Sequence, residues 1–368
     1  MANRNDLPES IEEVEKDYSK LTRTWRWGTN RWFVIAFIIM GFFAARAYPP
    51  ILPHIQLPAE NLSETPLFVL PVLGTFYLTN TLVATLIADV VLILIALAVR
   101  RAMSGGQLIP KGIAGAIEAI LEALNNLTES TAGKWARRIF PFFATIFMLV
   151  LIVNWMELIP GVDSIGILHQ GEHGYPVKEV LPGVLTIYKP ADAAEPVEGG
   201  YTVVPFVRVA STDLNFTVAL ALVSIFMTQV FGVRALGASY FTKFINVGGI
   251  FRRPVFGAID FGVGLLELIS EISKILSFSF RLFGNIFAGS VLLFVIGTLV
   301  PVFAQSLFLG LEFAVGLIQA LVFGMLTMVF MAQATQGHGG QGHGDEEDAH
   351  VLQHDQLQEE MPIPEGTL

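Results

Sequence analysis

The chain has 368 residues, of which 53% are hydrophobic and only 15% are charged, and its mean hydropathy is +0.60. A soluble globular protein usually carries about 25% charged residues. The apolar residues also occur in blocks that reach the roughly 20 residues needed to cross a bilayer. The composition therefore indicates an α-helical membrane protein and not an outer-membrane barrel. Because the chain has no cysteine, disulfides, thiolate metal sites and cysteine nucleophiles are excluded.

The first apolar run has two possible interpretations. Residues 1–31 are polar with balanced charge, and 32–48 contain WFVIAFIIMGFFA, with basic residues before it and ARA after it. This layout fits either a short first membrane helix or a cleavable signal peptide. Both alternatives make 1–31 a cytoplasmic extension and place residue 50 outside.

Residues 49–335 are predicted to form one membrane domain. Its predicted spans are about 76–99, 139–159, 211–233, 257–299 and 302–333. Apolar residues between 113 and 127 follow a 4-3-4-3 spacing, which is typical of an amphipathic helix lying on the membrane surface. The predicted fold is thus an all-α polytopic membrane protein with five to six membrane helices and one surface amphipathic helix.

Two polar segments flank or interrupt this domain. Residues 161–210 form a long insertion rich in proline and glycine, which we expect to be extracytoplasmic. Residues 336–368 contain eight acidic residues, several histidines and no lysine or arginine. We interpret this stretch as a disordered cytoplasmic tail, with divalent-metal binding as the alternative.

The distribution of lysine and arginine predicts the orientation. The proposed inside segments 1–31, 99–138 and 234–253 carry six, six and four of these residues. The proposed outside segments 46–76, 161–210 and 299–306 carry one, three and none. This difference follows the positive-inside rule, so both termini are predicted to be cytoplasmic.

The last two spans are unusually long. No proline interrupts 257–299, and an α-helix over 267–297 alone would measure roughly 45 Å at ~1.5 Å per residue. Because this length exceeds the hydrocarbon thickness of a bilayer, we expect both helices to be steeply tilted in the membrane.

Polar residues on these two helices recur at intervals of seven. They are Asp260, Glu267, Lys274 and Arg281 on the first helix, and Gln305, Glu312 and Gln319 on the second. Glu271 and Asn285 fall near the same face of the first helix. Two long helices with such stripes suggest a hydrated path between them or against a partner.

Arg281 is the residue that most needs an explanation. An arginine at the bilayer centre costs ~2.5–3.5 kcal/mol on insertion scales. The positions three and four residues away hold Phe278, Gly284, Ser277 and Asn285, so its partner must come from another helix or another chain.

The other polar residues have structural and functional interpretations. Glu271 and Lys274 are expected to form a structural i,i+3 pair. Glu267 and Glu312 are candidates for proton relay, because a carboxyl group in a low dielectric can exchange protons near neutral pH. Asn285 and Gln319 are less specific, since amides also join helices by hydrogen bonds.

Five stretches within roughly 75–335 have the character of family motifs. They are SKILSFSFRLFGNIFAGSVLL, TNTLVATLIADVVLILIALAVRR, IVNWMELIPG, ASTDLNFTVALAL and GLIQALVFGMLTMVFMA. In matching order and spacing, these stretches resemble subunit a of F-type ATP synthases. The resemblance implies a stationary proton-translocating subunit that forms two half-channels against a ring of c subunits. Proton flow then drives ring rotation, and partner subunits synthesise ATP.

The resemblance also assigns roles to individual residues. Arg281 matches the ring-facing charge that separates the half-channels. Glu267, Glu312, Asn285 and Gln319 match proton-pathway positions. Asn154, Glu157, Asp213 and Asn215 are implied to line the aqueous access side. Ser290 departs from the family pattern, since some relatives have an acidic residue or histidine there.

The resemblance implies partners but no catalytic chemistry within this chain. The implied partners are the c-ring, peripheral-stalk b subunits, the remaining synthase subunits and membrane lipid, with no nucleic acid, cofactor or metal. The implied location is a bacterial inner membrane. A secondary transporter is a competing hypothesis, but it should show two related halves, and no internal repeat is apparent. A structural scaffold, the other alternative, would not need Arg281.

Overall fold

The computed structural model describes residues 27–47, 58–63, 65–71, 74–104, 112–159, 161–188, 197–244, 254–299 and 303–336. Most of the predicted extension 1–31 and nearly all of the predicted tail 336–368 therefore lie outside the described residues. The domain boundaries proposed from the sequence stay predictions.

Seven α-helices occur in the described ranges. They are α1 (Trp27–Ala47), α2 (Asn80–Ser104), α3 (Ile113–Ala132), α4 (Ala136–Met156), α5 (Leu214–Leu236), α6 (Pro254–Leu299) and α7 (Phe303–Thr335). Short 3₁₀ turns cover Gly133–Trp135, Ala210–Thr212 and Gly237–Lys243. Five stretches of the described chain are long and apolar enough to cross a membrane. The predicted class, a polytopic α-helical membrane protein, is confirmed.

Helix α6 is the longest described element, with 46 residues. At ~1.5 Å per residue it extends about 69 Å. This exceeds the roughly 45 Å expected for residues 267–297 alone, because the helix already begins at Pro254. Proline is tolerated in the first helical turn, where its missing N–H would have no partner within the helix. Helix α7 has 33 residues. The steep tilt of both helices stays a prediction.

The predicted amphipathic helix corresponds to α3, which packs on α4 and α7. A 3₁₀ turn separates α3 from α4, and Gly133 begins this turn with a φ of 49°. That left-handed backbone conformation is one that glycine adopts readily. The turn therefore interrupts the α-helical hydrogen-bond pattern between α3 and α4.

The insertion contains β-structure that the sequence analysis did not predict. Its strands are β3 (Gly166–Tyr175), β4 (Val177–Leu181), β5 (Val184–Ile187), β6 (Val197–Glu198) and β7 (Tyr201–Pro205), and a further pair, β1 (Phe68–Leu70) and β2 (Gly74–Phe76), precedes α2. Strand β3 lies between β6 and β7, while β4 and β5 form a separate antiparallel hairpin. All of these strands except β3 have five residues or fewer, and β3 contains three glycines, so their alternation was a weak signal.

The core of the helical part surrounds α4. Ile139, Phe143, Val150 and Val153 on this helix are completely buried. Helix α4 packs most extensively against α7, and α5 joins α6 and α7 on the other side. By contrast, only 11% of the apolar stretch of α2 is buried, so α2 lies at the edge of the bundle. This arrangement places α6 and α7 beside each other and next to the end of α4.

Candidate functional site

Helices α6 and α7 run antiparallel, and one pair of polar side chains is hydrogen-bonded across them. The Asn285 amide nitrogen donates to Gln319 Oε1 at 2.7 Å. One end of the contact has Gln305 beside Gly297, and the other has Phe278 packed on Phe323. The seven-residue stripe of α7 therefore faces α6, where Gln305, Glu312 and Gln319 lie against Gly297, Gly289 and Asn285.

Glu312 packs directly against the backbone of α6. Its side chain is buried, and its carboxylate lies so close to Gly289 that a Cβ there would be 2.3 Å from Glu312 Oε2. Glycine at 289 is thus what allows the carboxylate to reach the helix. Glu312 Oε1 has no hydrogen-bond partner among the protein groups described, so one oxygen is available to accept or release a proton.

The next carboxylate in space comes from the end of α4. Glu157 is the C-cap residue of α4, and its Oε1 accepts a hydrogen bond from the Ser290 hydroxyl. Glu157 lies close enough to both Glu312 and Asp163 for their charges to interact. Because Gly289 and Ser290 are adjacent, two consecutive residues of α6 contact two different carboxylates.

Asp163 extends this arrangement beyond the end of α4. It follows a turn in which Gly161 has a φ of 98°. Burial raises the pKa of the Asp163 carboxyl from 3.8 to about 6, an effect that the nearby positive charge of Arg208 partly opposes. The Asp163 carboxyl can therefore exchange protons at mildly acidic pH.

Asn154 and Trp155, which precede Glu157 on α4, hold α7 in place. The Asn154 amide nitrogen donates to the Gly316 carbonyl oxygen at 3.2 Å, and its Oδ1 accepts from the Ser211 hydroxyl at 2.7 Å. The Trp155 indole donates to the Phe313 carbonyl oxygen at 3.1 Å and stacks on the Phe313 ring. The two acceptor carbonyls, those of Phe313 and Gly316, lie within one turn of α7. These bonds therefore fix the segment that carries Glu312.

Arg281 lies on the exposed face of α6, one turn from Asn285. Its guanidinium contacts the Ser277 hydroxyl at 3.4 Å. Within the residues that the structure describes, no carboxylate pairs with Arg281. The guanidinium is therefore presented outward from the helix pair.

Asp213 has structural bonds to both of its carboxylate oxygens. Oδ1 caps α5 by accepting from the Asn215 backbone N–H at 2.9 Å, and Oδ2 accepts from the Thr81 hydroxyl of α2 at 2.9 Å. The span predicted from about residue 211 corresponds to α5, whose first residue is Leu214. The Asn215 side chain is exposed at the same end of α5. The pathway roles of Asp213 and Asn215 stay predictions.

Glu267 belongs to a different part of α6. It lies fourteen residues before Arg281, which is about 21 Å along a helix at ~1.5 Å per residue. Its side chain is half-buried near Tyr240. Glu267 is thus separated from the carboxylates that gather around Ser290.

The structure arranges six of these residues in a series, which we call the polar line. Its members are Asp163, Glu157, Ser290, Glu312, Gln319 and Asn285, and it ends beside Arg281. Glu312 and Gln319 are seven residues apart on α7, so the series has a gap of about two helical turns there. Asp163 was not predicted from the sequence, although its position in a turn six residues after Glu157 was a usable signal. Ser290 departs from the family pattern, yet its hydroxyl lies within the series. Among the described residues, no group of three acidic or histidine side chains could hold a metal ion.

The fold and the polar line define a polytopic membrane protein with titratable groups arranged between helices and an outward-facing arginine on α6. The model of the family "ATP synthase A chain" matches residues 82–332. The chain belongs to this family, which supplies the proton channel of the membrane sector of ATP synthase. The resemblance inferred from the sequence is confirmed.

Several similar proteins carry the name ATP synthase subunit a. The protein of Mycobacterium bovis is 28% identical over 275 residues, covering 72% of this chain and 90% of the relative. That of Moorella thermoacetica is 27% identical, covering 72% and 95%. That of Buchnera aphidicola subsp. Schizaphis graminum is 26% identical over 296 residues, covering 78% and 94%. The other subunits of an ATP synthase are thus the partners of this chain.

Proposed function

We propose that this chain is the stationary proton-conducting subunit of a rotary ATP synthase and that the polar line is one of its two half-channels. The observation that carries the proposal is the series of carboxyl, hydroxyl and amide groups from Asp163 to Asn285, which ends beside the exposed cation of Arg281. A proton can pass along such a series through carboxyl groups, a hydroxyl and intervening water. The series lies at the outer end of α4 in the orientation that the positive-inside rule predicts.

Arg281 separates this half-channel from a second one. Arginine keeps its proton at all physiological pH values, so it cannot itself relay a proton. It favours the ionised form of a carboxyl group brought close to it. We propose that this group belongs to a c subunit and that the c-ring rotates past the exposed face of α6.

The second half-channel opens on the cytoplasmic side, with Glu267 at its entrance. About 21 Å of helix separates Glu267 from Arg281. Because Arg281 stands between the two half-channels, protons cannot pass directly from one to the other. Each proton must travel on the ring, and its flux is thereby converted into rotation. Partner subunits perform the ATP chemistry.

The remaining partners and the location complete the proposal. We place the chain in a bacterial inner membrane with both termini in the cytoplasm. Peripheral-stalk b subunits hold it stationary relative to the ring. Asn154 positions α7 for this function, and Asp213 and Asn215 lie at the outer access side.

The decisive experiment measures ATP synthesis in membrane vesicles after an imposed pH gradient, with Arg281→Gln compared with wild type. We expect synthesis to fall to background, because no fixed cation would ionise the ring carboxyl, while the complex still assembles and its soluble head still hydrolyses ATP. Arg137→Gln, which removes an exposed arginine at the start of α4, is the matched control. Near-normal synthesis by Arg281→Gln would overturn the proposal.

A further inference from the structure

A second group of polar side chains lies toward the beginning of α6, away from the polar line. Glu271 is buried, and its Oε1 accepts from the Lys274 ammonium at 2.9 Å. Its Oε2 accepts from the Gln229 amide of α5 at 3.2 Å. Both carboxylate oxygens therefore have partners, one of them a cation.

Neighbouring elements hold this group rigidly. The Tyr240 hydroxyl donates to Gln229 Oε1 at 2.7 Å, which fixes the orientation of the amide. The Tyr240 ring packs so closely on α5 that a Cβ at Gly232 would lie 2.3 Å from it. The Glu271 carboxylate is thus held by a preformed donor.

Lys274 is held from two sides. Its ammonium contacts the Glu271 carboxylate and lies 4.8 Å from the centre of the Phe330 ring of α7. This position is within cation–π range. Both contacts direct the side chain toward α5 and α7, and only 24% of it is exposed.

The backbone alone would direct the Lys274 side chain toward the face of α6 that carries Arg281. Seven residues of an α-helix advance ~10.5 Å and rotate by only ~20°, so Lys274 and Arg281 project from nearly the same face of α6. A lysine side chain is long and flexible. Released from Glu271, its ammonium could reach the exposed face about two turns from Arg281.

We propose that Glu271 is a positioning residue that holds the Lys274 ammonium away from the Arg281 face of α6. The inference rests on the proposed function, in which a carboxylate of a partner subunit must meet one fixed cation. A second cation on the same face would attract that carboxylate at the wrong position and slow its departure. Glu271 both neutralises Lys274 and turns it away, which leaves Arg281 as the charge that the partner meets.

The test compares Glu271→Gln, Lys274→Gln and the double variant in the complete complex in membrane vesicles. Glutamine at 271 can still accept from Gln229 but cannot neutralise lysine. We expect Glu271→Gln to lower ATP synthesis per assembled complex roughly threefold to tenfold. This is the size of effect expected when the unneutralised Lys274 ammonium competes with Arg281, ~10 Å away, for the partner's carboxylate. Lys274→Gln and the double variant should stay close to wild type. Glu129→Gln, which removes an exposed carboxylate on α3, is the matched control.

Dividing the rate of ATP synthesis by the amount of assembled complex separates an effect on turnover from an effect on stability. A purely structural role would reduce the amount of complex and leave the turnover of the remaining complex unchanged, which would overturn the inference. An equal loss of turnover in Lys274→Gln, or a double variant as slow as Glu271→Gln, would also overturn it. Arg281→Gln in the same vesicles tests the proposed function separately: if it stays active, that function fails, whatever the Glu271 variants do.

Discussion

The contact between Gly289 and Glu312 allows a sharp test of the polar line. In Gly289→Ala, the new Cβ would lie 2.3 Å from Glu312 Oε2 and 2.6 Å from its Cδ, whereas ordinary contacts begin at 3.4 Å. The carboxylate must therefore move by about 1 Å. Overpacking typically costs about 1–3 kcal/mol, and exchanging glycine for alanine inside a helix returns roughly 0.5–1 kcal/mol. The net loss of stability is about 0–2.5 kcal/mol, because the flexible end of Glu312 can yield.

The displacement should affect proton transfer more than assembly. A misplacement of ~1 Å in a reacting group can lower a rate by up to ~100-fold. We expect ATP synthesis driven by a pH gradient to fall roughly tenfold or more per assembled complex. The assay is the initial rate of synthesis in vesicles, divided by the amount of complex on a native gel.

Two further variants make this prediction refutable. Gly310→Ala on α7 is the control, because a Cβ there meets nothing within 4 Å. Glu312→Asp in the Gly289→Ala background shortens the acid by one methylene and should recover part of the rate, which a double-mutant cycle would measure. If Gly289→Ala keeps a rate within twofold of Gly310→Ala, the close placement of the carboxylate does not matter for conduction.

Two other predictions concern the outer end of the bundle. Asp163 binds its proton more tightly in the folded chain, so its contribution to stability falls as pH rises from 3.8 to about 6 and is lost above that range. Asp163→Asn should raise Tm at pH 7 but not at pH 3.5, as measured by thermal unfolding of the purified complex, and equal shifts at both pH values would contradict this. Asp213→Ala removes the α5 cap and the Thr81 bond and should cost about 1–2 kcal/mol. Asp213→Asn should retain most of the stability, and a loss of ATP synthesis in this milder variant would favour a pathway role over a purely structural one.

Several features of this protein could be predicted from sequence because they depend on local properties of the chain. The membrane spans, including the one predicted over 211–233, follow from runs of apolar residues. The importance of Arg281 follows from the cost of a charge in an apolar setting. The polar stripes of α6 and α7 follow from helical periodicity, which repeats within one segment.

Tertiary structure decided how these features combine. Periodicity suggested one face for Glu271, Lys274 and Arg281, but packing turns Glu271 toward Gln229 and leaves Arg281 exposed. The difference arises because neighbouring helices select which side of a stripe is covered. A serine that looked like a missing relay group donates a hydrogen bond to Glu157, 133 positions away in the chain.

The sequence by itself determined that this protein is helical, crosses a membrane and carries an arginine that requires a partner. Those properties are set by solvation and by the spacing of neighbouring residues. Only the tertiary structure decided that Asp163, Glu157 and Glu312 approach one another beside Ser290. Such contacts join segments that are far apart in the chain, so sequence spacing does not indicate their distance in space. They depend on side-chain volumes and close packing, including the space left by Gly289.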